Sequence, residues 1–119
     1  MIAPHLLRGR KGERIACRFL MRQGYDILTR RYSNRSGEID IIAFDKQTLV
    51  FVEVKTRSSR QYGEPWEFVD RKKQYRIQQT AERFIAEHDM NRFTYRFDIV
   101  SILIPPESKE EIRLFRNAF

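Results

Sequence analysis

The stretch from Gly37 to Lys55, GEIDIIAFDKQTLVFVEVK, constrains the fold more than any other part of the chain. Two apolar runs rich in Ile, Val and Phe flank the turn-tolerant residues Asp45, Lys46, Gln47 and Thr48, a pattern that predicts a β-hairpin. A turn closed by Phe44 opposite Leu49, or by Asp45 opposite Thr48, fixes the antiparallel register. Asp40 then faces Glu53, and Glu38 faces Lys55. Strand alternation puts these four on one face with Ile42, Phe44, Leu49 and Phe51. Val50, Val52 and Val54 line the opposite face, so the second strand is expected to be central and covered by helices on at least one side.

Two carboxylates directly opposed on adjacent strands, about 5 Å apart, repel one another. Lys55 can offset part of that repulsion. Asp40 and Glu53 also form a hard-oxygen site suited to a divalent cation such as Mg²⁺. The alternative is a buried salt-bridge cluster of Glu38, Asp40, Glu53 and Lys55 that holds no metal.

A length of 119 residues suits one domain over 1–119, with residues 1–8 expected as a flexible tail. No run of about 18 apolar residues is present, and the opening MIAPHLLRGRKGER lacks the apolar centre of a signal peptide. The expectation is a cytoplasmic protein with no membrane partner. Cys17 is the only cysteine and His5 and His88 the only histidines, which excludes an intrachain disulfide and argues against a Cys/His zinc site. The net charge of +7 is concentrated near the start, where nine Lys and Arg up to Ser36 face only Glu13 and Asp26. A local positive field beside a carboxylate cluster fits a polyanion such as DNA. A merely basic soluble surface, or one that meets an anionic membrane, is the competing explanation.

A helix is expected from Gly9 to Gln23, ended by Gly24, with Ile15, Ala16, Phe19 and Leu20 as its core stripe. Arg10, Arg14, Arg18 and Arg22 recur along one side, as a phosphate track or as a solvated face. Glu13 sits at the apolar margin over Ala16, Cys17 and Leu20, where an unpaired carboxylate is unfavourable. It either points into the site or pairs with an arginine three or four residues away. Tyr25–Tyr32 reads as a strand, and Ser33–Gly37 as the turn that completes a three-stranded meander.

Ser58–Trp66 reads as a polar loop able to fold over a substrate, or as an ordinary surface loop. A second helix is expected from Arg71 to His88, capped by Asp70, with Ile77, Ala81, Phe84 and Ile85 buried. Arg71, Lys72 and Lys73 in its first turn have the wrong sign for the helix dipole, which points to a bound anion there or to simple exposure. Gln74 is expected at the edge of the site or on a solvated face. A strand from Thr94 to Ile104, a Pro105-Pro106 break and an edge strand from Glu110 to Phe115 close the chain. Asp98, within FDIVSILI, is expected to be a paired structural carboxylate.

Asp40, followed by Glu53-x-Lys55 at the end of a buried strand, resembles the active-site signature of the restriction-endonuclease-like nucleases. The wider set GRKGERIA, RRYSNRSGEIDIIA, LVFVEVKTR, YGEPWEFVDRKKQ, RFDIV and NAF resembles the YraN family of small bacterial proteins, over nearly the whole chain from Gly9. That family is regarded as nuclease-like and similar to archaeal Holliday-junction resolvases. Ile39 stands where many members of the superfamily have Pro before the Asp. The resemblance implies an α/β, restriction-endonuclease-like fold: a mixed central sheet of about five strands, opening with an antiparallel meander and flanked by helices.

The resemblance also implies a metal-dependent endonuclease acting on DNA, with branched or junction DNA as one class of target. Asp40, Glu53 and the backbone carbonyl of Val54 would hold Mg²⁺ or Mn²⁺, with Glu13, the additional helix glutamate, contributing to the metal site and to catalysis, and Lys55 as the catalytic lysine. Arg10, Arg14, Arg18, Arg35, Arg57, Arg71, Lys72 and Lys73 are the expected nucleic-acid contacts. A resolvase-like role would call for a homodimer, to cut two strands. The alternatives are a non-catalytic nucleic-acid-binding or adaptor protein that keeps the fold, and a module that docks on an acidic protein surface.

Overall fold

The computed structural model describes residues 4–59 and 69–119, with side chains from Arg10 onward. The hairpin consists of β2, Gly37–Asp45, and β3, Thr48–Arg57, joined by Lys46 and Gln47. Lys46 adopts a φ of +58°, as tight turns matched to strand twist require at their first central position. The register is the expected one from Asp45 opposite Thr48 to Ile41 opposite Val52.

Around this hairpin lies a five-stranded mixed sheet in the order β1-β2-β3-β4-β5, with β1 at Tyr25–Asn34, β4 at Thr94–Leu103 and β5 at Glu111–Phe115. The first three strands form the antiparallel meander, and β3 runs parallel to β4. Two helices flank the sheet: α1, Pro4–Arg22, and α2, Arg71–Glu87, which lies in the β3–β4 crossover. Ala16, Cys17 and Leu20 of α1 pack with Ile41, Ala43, Val50, Val52, Val100 and Ile102. Ile77, Ala81, Phe84 and Ile85 of α2 pack with Ile42, Leu49, Phe51, Phe97 and Ile99. The middle strand β3 is thus sealed on both faces, as its unbroken apolar run requires.

Helix α1 begins at Pro4, earlier than the Gly9 expected. Proline suits a first helical position because its φ is preset and its missing N–H has no intrahelical acceptor there. At the other end Gly24 adopts a φ of +93° and donates to Met21 O at 3.0 Å. Asp70 caps α2 by accepting from Lys73 N at 2.8 Å. Strand β1 runs to Asn34, further than expected. The turn is therefore Arg35-Ser36, tied by the Ser36 N–H donating to Asn34 Oδ1 at 2.8 Å.

The expected loop Ser58–Trp66 lies outside the described residues from position 60 on. Asp98 is fully buried and accepts from Tyr25 OH, Arg96 Nε and Asn117 N, each at 2.9 Å, so it is the paired structural carboxylate expected. Among the described residues, no helix is long and apolar enough to cross a membrane.

Candidate functional site

The site begins with a fault in strand alternation. Ile39 packs in the core under α2, whereas Ile41, two residues on, packs in the core under α1. A regular strand would keep both on one face. The same change occurs on β1, where Tyr32 packs with Phe84 of α2 and Arg30 lies beside Cys17 of α1. Arg30 opposes Ile41 and Tyr32 opposes Ile39, so the two strands flip together and their mutual register is kept. The residue between on β1, Arg31, has a φ of +54°.

β3 does not follow this kink. Its ladder with β4 continues from Thr48 to Arg57, while its ladder with β2 ends at Val52–Ile41. Asp40 fills the resulting gap, with its Oδ2 accepting from Val54 N at 2.8 Å. A residue's N–H and C=O point to the same edge of a strand, so the Val54 carbonyl also faces the gap. Asp40 and Glu53 are therefore neighbours across a break in the ladder, not a ladder pair as expected.

Glu53 is only 7% exposed, and its Oε1 lies 2.7 Å from Lys73 Nζ and 3.8 Å from Lys55 Nζ. The expected pairing of Glu38 with Lys55 is not formed, because the β2–β3 ladder ends short of both residues; Glu38 is exposed. Burial first, then the charge of Glu53, push the Asp40 carboxyl up to about 7, with Glu13 adding to the rise. The Val54 N–H and Lys73 act in the opposite direction. Lys55 is pushed down by burial and by the adjacent Lys73. Burial works most strongly against the charge of Lys73, but Glu53, Lys55 and Asp40 together carry its pKa above the ordinary value.

Glu13 is close enough to Asp40 to raise its pKa, but its side chain is engaged elsewhere: Oε2 lies 2.6 Å from Arg31 Nε. The arginine partner comes from β1, not from the same helix. The preceding Gly12 lets α1 approach this closely, since a Cβ there would stand 2.0 Å from Thr56 Oγ1 on β3. Gln74 donates to Val69 O at 2.8 Å and so serves the start of α2, not the site edge.

Among the described residues, no group of three or more His, Cys, Asp and Glu side chains converges as a ready metal cage. What converges is two carboxylates and one carbonyl edge, all hard oxygen donors. One of the two carboxylates is driven to retain a proton, the condition that a divalent cation relieves. The donor set thus fits an ion that keeps several of its waters.

Of the expected nucleic-acid contacts, Arg10, Arg14 and Arg18 are exposed on α1, Arg35 on the β1–β2 turn, and Arg71 and Lys72 on the first turn of α2. Arg57, partly buried at the end of β3, uses its backbone carbonyl to accept from Ile104 N at 2.8 Å. Lys73 is half-buried and lies against the carboxylate cluster. In the sequence it is a cation in the wrong turn of a helix, which points to a bound anion or to simple exposure; in the structure its anion is the Glu53 carboxylate. Arg31 gave no such signal.

The profile of an uncharacterised protein family, UPF0102, matches residues 12–102. A UPF0102 protein of Caldicellulosiruptor bescii is 48% identical over 93% of this chain and 95% of its own length. Those of Clostridium tetani and Symbiobacterium thermophilum are 43% and 44% identical, each over 93% of this chain and 92% and 94% of their own lengths.

Proposed function

We propose, for a chain that belongs to the UPF0102 family, that it is a metal-dependent endonuclease hydrolysing DNA phosphodiester bonds. The observation that carries this reading is the pairing of Asp40 and Glu53 across the broken ladder, with Lys55 and Lys73 against them. In a purely structural cluster each acid would lie against its own base, whereas Lys55 and Lys73 both lie against Glu53 and Asp40 is held by the Val54 N–H. Acid pairs whose environment favours the protonated form concentrate at sites of chemistry. This arrangement supports the metal-holding reading of the cluster over the metal-free one, and the restriction-endonuclease-like and resolvase-like resemblances agree with it.

Asp40, Glu53 and the Val54 carbonyl would hold Mg²⁺ or Mn²⁺, and Glu13 would act at one remove, through the field it adds at Asp40. The chemistry supplied by such an ion is polarisation of the phosphoryl oxygen and acidification of water. Lys55 Nζ, made a weaker proton-holder by burial and by Lys73, orients the attacking water or takes its proton. Arg10, Arg14 and Arg18 grip backbone phosphates without reading sequence, and Arg35, Arg57, Arg71 and Lys72 extend that grip on the other elements. Cutting both strands of a branched substrate would require a homodimer.

The test is a panel of branched, flapped, nicked and single-stranded DNAs with Mg²⁺ or Mn²⁺, cut by wild type, Asp40→Asn, Glu53→Gln and Lys55→Ala. Wild type is expected to cleave at least one substrate and the three variants none, with Lys55→Ala still binding the ion. If wild type binds DNA but cleaves none of the panel, a non-catalytic nucleic-acid-binding role replaces this one.

A further inference from the structure

We propose that Lys73 is a positioning residue that acts as the internal cation of the carboxylate pair: its ammonium holds Glu53 when no divalent ion is bound, and yields that place when one binds. The inference rests on the metal-dependent reading above. It starts from distance, since Lys73 Nζ is 2.7 Å from Glu53 Oε1 while Lys55 Nζ is 3.8 Å from the same atom. The nearer positive charge on Glu53 thus comes from α2, across the sheet face, and not from its own strand.

Position on the helix makes this contact informative. The first turn of α2 carries Arg71, Lys72 and Lys73 with no acidic residue, so a cation there opposes the helix dipole. The Glu53 carboxylate is what offsets that repulsion for Lys73. Conversely, Glu53 is too buried to be left without a positive partner, because an uncompensated buried charge is strongly destabilising. Without Lys73 only Lys55, at 3.8 Å, offsets the Glu53 charge, so departure of the nearer cation is favoured when another arrives.

Lys73 also has somewhere to go. It lines a cavity of about 340 Å³ with Gly37, Glu38, Arg76 and Ile77, and its side chain is 35% exposed. A flexible four-carbon stem can swing within that space. There the Glu38 carboxylate, which lines the same cavity beside Arg76, can receive its ammonium as the ion takes over Glu53.

The experiment is calorimetric titration with Mn²⁺ alone, and thermal unfolding with and without Mn²⁺, on wild type, Lys73→Met, Lys73→Gln and Arg76→Met. Removing the competing ammonium is expected to tighten Mn²⁺ binding by about fivefold or more in both Lys73 variants, and to lower their ion-free Tm so that Mn²⁺ restores more stability than it adds to wild type. Arg76→Met takes a charge from the same cavity but not from Glu53, and is expected to change Mn²⁺ affinity less than about twofold. Lys73→Gln keeps a hydrogen-bond donor and serves if Lys73→Met does not fold without the ion. Equal affinity in wild type and the Lys73 variants, or an equal gain in Arg76→Met, overturns the inference and leaves the metal-dependent reading standing. No Mn²⁺ binding by any of the four proteins overturns that reading and this inference with it.

Discussion

Arg31 and Asp40 oppose one another between the ladder pairs Arg30–Ile41 and Tyr32–Ile39, and both strands change face at this point. Because β3 stays regular, the change turns Asp40 edge-on into the sheet, where Val54 donates to it at 2.8 Å. The kink is what brings a carboxylate from β2 to the Glu53 end of β3. It also leaves a non-glycine residue in the left-handed region, at a φ of +54°.

Holding an L-residue there costs about 1–2 kcal/mol. Arg31→Gly removes that strain but also takes the ion-pair partner from Glu13, whose side chain is only 12% exposed, and a carboxylate left unpaired there costs about 1–3 kcal/mol. Its stability is expected to equal that of wild type or fall below it by up to about 2 kcal/mol. Arg31→Val is expected to fall below the glycine variant by about 2 kcal/mol, since β-branching makes the same backbone harder to reach. Urea unfolding of the three proteins decides it: equal stability of the Val and Gly variants would mean the kink is not at Arg31.

The Asp40 carboxyl is raised to about 7 from an ordinary 3.8, so the folded chain holds this proton more tightly than the unfolded chain. The associated stability is complete below the unfolded value and is lost as pH rises through the folded one. Without divalent ions, wild type is therefore expected to lose on the order of a few kcal/mol between about pH 4 and pH 7. Asp40→Asn should flatten that slope and be the more stable protein at pH 8. A divalent ion must displace the same proton, so its affinity should rise with pH up to about 7 and then level off. Calorimetry in buffers of different ionisation enthalpy reads the released proton directly, and an absence of proton release at pH 6 would contradict the assignment.

The basic stripe on α1 makes a separate prediction. Arg10, Arg14 and Arg18 are all exposed, and Arg14 and Arg18 lie on the turns that flank buried Ala16 and Cys17. Replacing the three with Gln should weaken DNA binding for every sequence tested and reduce the salt slope by up to about 2.7, at roughly 0.9 per phosphate contact on B-DNA. Thermal stability should change little. Unchanged affinity and slope would mean that DNA runs elsewhere, over Arg35, Arg71 and Lys72.

Local chemistry explains why so much of the fold could be read from the sequence. The hairpin register follows from a two-residue turn between β-branched runs, and the limits of α2 follow from Asp70 at one end and a regular apolar stripe along it. Gly24 ended α1 where expected, and the apolar surroundings of Asp98 marked it as a structural carboxylate. Extending the register and the alternation brings Asp40, Glu53 and Lys55 to one end of the hairpin, and they do lie together there, although across a break in the ladder and not as ladder pairs.

Tertiary packing decided how these residues meet. Extending a regular ladder past Ile41 and Val52 predicts a Glu38–Lys55 pair, but the opposed kinks at Arg31 and Asp40 end that ladder first. No pattern in one strand reveals a distortion shared by two. The pairing of Glu13 with Arg31 depends on how closely α1 can settle on β3, which a missing Cβ at Gly12 permits. Lys73, read from its helix as a surface cation, is drawn to Glu53 because the parallel β3–β4 crossover sets the start of α2 above the end of β3. The sequence by itself determined which elements form and which carboxylates and cations they carry, because turns, caps and apolar periodicity act over a few residues. Which cation neutralises which carboxylate was decided only by the assembled structure, because that depends on distances between elements far apart in the chain.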